Sequence, residues 1–200
     1  MQRVLLLALI AFTFPLFAQD PKTGDPPSDM AEYQMILIRA MPDDWQFPRA
    51  KNIVVAGPID DTKLRAVAIV DATRPDADAL TNGAKAEVHP WMTSKKTLAE
   101  FAQKHVDQKH YLVFLMRGDK WTPEVTPELE ELQKRHLANI GKLHEEGKLL
   151  LAGPFTDNGV LRGIFVLKAE SLEQAKEYCN TDPSVQAGRL KVDVLPWTVH

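Results

Sequence analysis

The sequence predicts an α+β protein made of two ferredoxin-like (βαββαβ) units, the first of them truncated. Three observations carry this. The phrase KLLLAGPFTDNGVLRG at 148–163 recurs in shortened form within NIVVAGPIDDTKLRAVAIV at 52–70, and internal repetition bears on the whole architecture. Both copies close on Pro-Trp, at Pro90-Trp91 and Pro196-Trp197. The second copy, finally, runs β, α, β, β, α, β over about ninety residues, the ferredoxin-like order.

The chain opens with Arg3, the apolar run VLLLALIAFTFPLF and Ala18, which together have the form of a secretory signal covering residues 1–18. The apolar run is shorter than the roughly 20 residues needed to cross a bilayer, and no cysteine follows it for a lipid anchor. A periplasmic or secreted protein is expected, with no stable membrane insertion after cleavage. Residues 19–30 hold three prolines among polar residues and read as a flexible linker.

The first, degenerate repeat spans residues 31–93. Tyr33 to Ile38 is a strand ending at Arg39, and Pro42 and Pro48 prevent a useful helix after it. Asn52 to Ala56 and Arg65 to Val70 are strands on either side of a Gly57-Pro58 turn. Residues 75–82 allow at most two helical turns, and Ala84 to Val88 is a fourth strand leading to His89-Pro90-Trp91. Residues 94–108 form a connecting helix, with Leu98, Phe101, Ala102 and His105 at helical spacing and Thr93 or Ser94 as cap.

The complete unit spans residues 109–200. Tyr111 to Met116 is an unbroken apolar strand, suited to cover on both faces. Thr126 to Gly147 is the best helix, with Thr126 as cap, Pro127 at its first position and Glu128, Glu130 and Glu131 at its positive end. Its stripe of Leu129, Leu132, Ile140 and Leu143 includes His136, so the imidazole should face the sheet. Leu149 to Leu151 is a strand, Gly153-Pro154 a turn, and a polar loop holding Asp157 and Gly159 precedes the strand Ile164 to Leu167. A capping box at Ser171-Leu172-Glu173-Gln174 opens a helix that stops before Asp182-Pro183, and Leu190 to Leu195 alternates as a half-exposed strand. From Tyr33 to Gly57 is 24 positions and from Tyr111 to Gly153 is 42, so the first copy lacks 18, and the missing piece is the helix that carries His136.

Composition narrows the partners. The formal charge is -3, and removing Arg3 with the signal makes it -4, which offers no basic patch for nucleic acid. Cys179 is the only cysteine, so no intramolecular disulfide forms, and its apolar helical position reads as core. No glycine-rich phosphate loop or dinucleotide fingerprint is present, so no cofactor is expected. His136 and His144 are eight apart and His105 and His110 five apart, neither a familiar ligand spacing, so no metal site is expected.

The landmarks of the second copy resemble the YCII-related (YciI-like) family: an inward histidine in KRHLANIGKL, Ala152-Gly153-Pro154 with Asp157 and Gly159, Asp182-Pro183 with Ala187-Gly188, and Pro196-Trp197. The match covers residues 109–200 with every landmark in order, while the first copy matches only at the turn and the end. The resemblance implies a dimeric α/β barrel, here closed within one chain as an intramolecular pseudo-dimer; further self-association stays open. It also implies a His-Asp dyad of His136 with Asp182.

On that basis the expected function is a small-molecule enzyme transferring a proton, of isomerase, lyase or hydrolase type. The alternative is a non-catalytic ligand-binding or interaction protein of the cell envelope. His136 is either this acid-base group or a buried histidine satisfied by backbone, and Asp182 either orients it or caps the chain before Pro183. Asp157 is a competing partner or ordinary turn chemistry. Arg117 either holds a substrate carboxylate or is an ion-paired strand end. Tyr111, Trp121 and Trp197 either line an apolar pocket or belong to the core.

Overall fold

The computed structural model describes residues 29–43, 45, 51–71 and 83–200. The signal at 1–18, most of the linker and the short helix at 75–82 lie outside them. The first unit contains β1 (Met30–Ala40), β2 (Ile53–Pro58), β3 (Ala66–Asp71) and β4 (Lys85–Ser94), paired antiparallel in the order β2-β3-β1-β4. Helix α1 (Lys95–Lys104) leads to the second unit: β5 (Gln108–Arg117), α2 (Pro127–Glu145), β6 (Leu149–Pro154), β7 (Leu161–Leu167), α3 (Leu172–Asn180), α4 (Pro183–Gln186) and β8 (Leu190–Val199). Its sheet order, β6-β7-β5-β8, repeats that of the first. Each unit is ferredoxin-like. Where the second places α2 between its first two strands, the described residues of the 41–52 connection carry no helix.

Local chemistry explains the helix starts. Ser94, Thr126 and Ser171 each accept a hydrogen bond from the amide three residues on, and Pro127 occupies a position that needs no donor. Gly147, at φ 69°, ends α2 in a conformation glycine adopts without strain. One helical turn escaped the sequence reading: Asp182 accepts from the Ser184 amide and starts α4 instead of merely ending α3.

Alternation along β5 sorts the core. Leu112 and Phe114 face the first unit, joining Met35, Leu37, Ile69 and Val166 in an apolar layer between the sheets. Tyr111, Val113 and Leu115 face the opposite way and pack with Leu143, Phe165, Ala175 and Cys179 beneath the helices. Burial pushes the Cys179 thiol up to about 12, so it is an inert core group. His110 is also buried; burial and the neighbouring His105 push it down to about 4, leaving a neutral ring packed against Phe101.

The repeated Gly-Pro pairs are not turns. Gly57-Pro58 ends β2 and Gly153-Pro154 ends β6, and both strands run against the other unit. Each preceding strand also carries the same register shift, between Ile53 and Val55 and between Leu149 and Leu151. A Cβ on Gly57 would stand 1.7 Å from the Thr198 carbonyl oxygen, and one on Gly153 1.9 Å from that of Met92. Glycine is needed because backbone meets backbone there.

The Pro-Trp endings complete the same two seams. Ile59 bridges Trp197 and Phe155 bridges Trp91, while the Asp60 amide donates to Pro196 O at 3.1 Å and the Thr156 amide to Pro90 O at 3.0 Å. Trp197 Nε1 donates to Gly57 O at 3.2 Å, and Thr93 Oγ1 to Ala152 O at 2.7 Å. Both tryptophans are fully buried. The two units thus close an α/β barrel within one chain, with Trp197 buried in the seam.

Candidate functional site

Helix α2 holds His136 on its inward stripe, and the N-cap of α4 holds Asp182 opposite it. His136 Nδ1 lies 2.6 Å from Asp182 Oδ2, and both side chains have no exposed surface. The other carboxylate oxygen, Oδ1, accepts from the Ser184 amide at 2.8 Å. The imidazole stacks on Phe165 of β7, with centroids 6.2 Å apart and planes inclined by 23°. A carboxylate on Nδ1 fixes the tautomer and orientation of the ring and makes Nε2 the lone-pair nitrogen. The pair can therefore hold or relay a proton inside the helix–sheet layer.

A cavity of about 220 Å³ lies beside this pair, between α1, α2 and β6. Leu137, Ile140 and His144 of α2 line one side, and Thr93, Ser94 and Thr97 of the first unit and α1 the other. Phe165 belongs to its wall as well as to the His136 stack. His136 and Asp182 are not on that wall.

Asp157 has a partner that the sequence did not suggest. Its Oδ2 lies 2.6 Å from His89 Nδ1, across the seam from β4 of the first unit, and Oδ1 accepts from the Gly159 amide at 3.1 Å. Partial burial works to raise the Asp157 pKa, but the bonds from His89 and the Gly159 amide outweigh it and hold the carboxyl below its ordinary range. His89 Nε2 in turn faces Glu87 at 3.6 Å, and Glu87 takes both prongs of Arg39 at 3.1 Å. Asp157 thus combines turn chemistry with a second histidine pair, this one reachable by solvent. The overlooked signal was His89, the residue ahead of Pro-Trp in the first copy.

Arg117 ends β5 as expected, donates Nη2 to Asn158 O at 2.5 Å and lies over the Trp121 ring. Tyr111, six residues earlier on the same strand, is buried among the helix-facing core residues and is not brought to Arg117. Among the described residues no three potential metal ligands cluster, and no helix is long and apolar enough to cross a membrane.

Residues 112–198 match the YCII-related domain. The uncharacterised protein YjpA of Bacillus subtilis is 31% identical over 87 residues, 44% of this chain and 92% of that protein. Protein YciI of Escherichia coli is 37% identical over 73 residues, 30% of this chain and 74% of that protein. A solved chlorite dismutase-like protein superposes with a TM-score of 0.55 over 84% of this chain and 94% of its own, at 8% identity. That last likeness is one of fold alone, but its span takes in both units.

Proposed function

The chain belongs to the YCII-related domain family, and from that premise we propose that it is an exported small-molecule enzyme whose His136–Asp182 pair transfers a proton. The observation that carries this is the 2.6 Å contact between His136 Nδ1 and Asp182 Oδ2, with the imidazole stacked on Phe165 of the cavity wall. Asp182 orients the ring, and His136 accepts or returns the proton once a swing of the Phe165 ring, which stacks on the imidazole and lines the cavity, lets a small organic substrate reach it. Water is kept from the pair by the same packing. The chemistry is of isomerase, lyase or hydrolase type.

Proton transfer has a readout that does not require the substrate to be known in advance. The protein from residue 19 onward, incubated in D2O with a panel of small organic acids and lactones, should wash deuterium into one of them by proton NMR. H136N, which can keep a hydrogen bond to Asp182, should lower that exchange by about 100-fold or more while retaining the parent fold. Exchange that survives H136N would remove His136 from the chemistry.

A second reading is favoured by one specific feature: both side chains are fully buried, and Asp182 already caps α4. The pair would then clasp α2 to α4, and the cavity would serve a ligand-binding protein that leaves its guest unchanged. The same panel separates the two, since binding without exchange belongs to the second.

Export rests on Arg3, the apolar run after it and Ala18. Secretion from a bacterial host should yield a protein whose N-terminal residue is Gln19. Recovery of the intact chain from the membrane fraction would overturn that.

A further inference from the structure

Three arginines converge on one indole at the end of the second sheet. Arg117 is the last residue of β5, Arg162 the second of β7, and Arg189 directly precedes β8. Their guanidinium carbons lie 3.8, 6.0 and 5.9 Å from the centre of the Trp121 ring, so the two farthest, at 6.0 and 5.9 Å, are at most about 12 Å apart. All four residues are half-buried.

Among the described residues none of the three has a carboxylate within ion-pair distance. Asp157 is the acid that attracts Arg162, but its Oδ2 is taken by His89. Arg189 gives two donors to Thr122, at 2.9 Å to the carbonyl and 3.3 Å to Oγ1, and Arg117 gives one to Asn158. Arg117 Nε and Arg162 Nη1 are buried and meet no acceptor. Burial and the charges of Arg117 and Arg189 push Arg162 below its ordinary pKa.

Like charges gathered with no carboxylate in direct contact, and with buried donors left over, are what packing alone disfavours. A planar guanidinium fork matches the two oxygens of a carboxylate or phosphate, and Arg stacked on an indole is held in place for such a contact. We propose that this cluster binds an oxyanion, the carboxylate or phosphate group of a small organic ligand, with Arg162 and Arg117 as the principal donors over the Trp121 ring. The site is independent of proton transfer at His136 and would stand if that chemistry failed.

Trp121 supplies the reporter. Calorimetric and tryptophan-fluorescence titrations of the protein with malonate and with inorganic phosphate, at ionic strength held constant with sodium chloride, should saturate with a Kd of about 1 mM or tighter for at least one. Saturation by malonate alone assigns a carboxylate ligand, and by phosphate alone a phosphorylated one. R162Q should weaken binding about tenfold or more. Without added anion it should melt no lower than the parent, because it removes one of three crowded charges. Should R162Q fail to fold, R117Q carries the same binding test.

Absence of saturable binding by both anions would overturn the proposal. So would an R162Q protein that binds as the parent does, or one that folds but melts far below it, which would make the arginine a structural support.

Discussion

Replacing Gly57 with alanine is expected to cost about 3–5 kcal/mol, near the top of the range for single substitutions. The new methyl would stand 1.7 Å from the Thr198 carbonyl oxygen, 3.1 Å from Trp197 Nε1 and far inside contact distance of backbone that has little freedom to retreat. Relief requires β2 and β8 to part, which breaks the bond from Trp197 Nε1 to Gly57 O and the paired bonds between Ala56 and His200. Gly153 faces Met92 in the equivalent way at 1.9 Å, and Gly153→Ala should behave alike. The control has the opposite sign: a Cβ on Gly141, inside α2, meets nothing within 4 Å, so Gly141→Ala should add about 0.5–1 kcal/mol. Urea or thermal melts decide it. A Gly57→Ala protein that melts within about 2 °C of the parent, where about 10 °C is expected, would mean that the two units do not meet at this glycine.

That seam also shows how far the sequence could be read. The Gly-Pro and Pro-Trp pairs recur because each unit offers one glycine and one tryptophan to the other, so the two-unit architecture was visible in Gly57, Gly153, Trp91 and Trp197. Their local role was misread, since a glycine before a proline signals a turn from sequence alone and a close approach only once the opposing strand is known. His136 was legible as inward because α2 has one apolar stripe and the histidine sits on it. Periodicity has nothing to say about contacts between distant elements. The pairing of His89 with Asp157 spans 68 positions and two units, and the arginines around Trp121 come from three strand ends. Asp182 was located through a resemblance, and its second bond, to the Ser184 amide, follows from α4, whose four residues are too few to show a helical period.

Asp182→Ala is the second substitution expected to be severe, at about 3–5 kcal/mol. It leaves two buried donors behind, His136 Nδ1–H and the Ser184 amide, at a place with no exposed surface. Asp182→Asn keeps one carbonyl oxygen for one of those donors and should cost about half as much. If the cost arises from the stranded imidazole, removing the imidazole as well should recover part of it. The double substitution H136L/D182A is therefore expected to be milder than the sum of its single changes by about 1–3 kcal/mol, read from chemical denaturation of all four proteins. Strict additivity would mean that the 2.6 Å contact carries no coupling, and would leave Asp182 as a helix cap alone. Stability and chemistry then separate cleanly: H136N should fold because it can still bond the carboxylate, and D182N should fold with its ring less firmly held. Loss of deuterium exchange in both, with coupling in the cycle, is the combined result that a proton-transferring pair requires and a clasp does not.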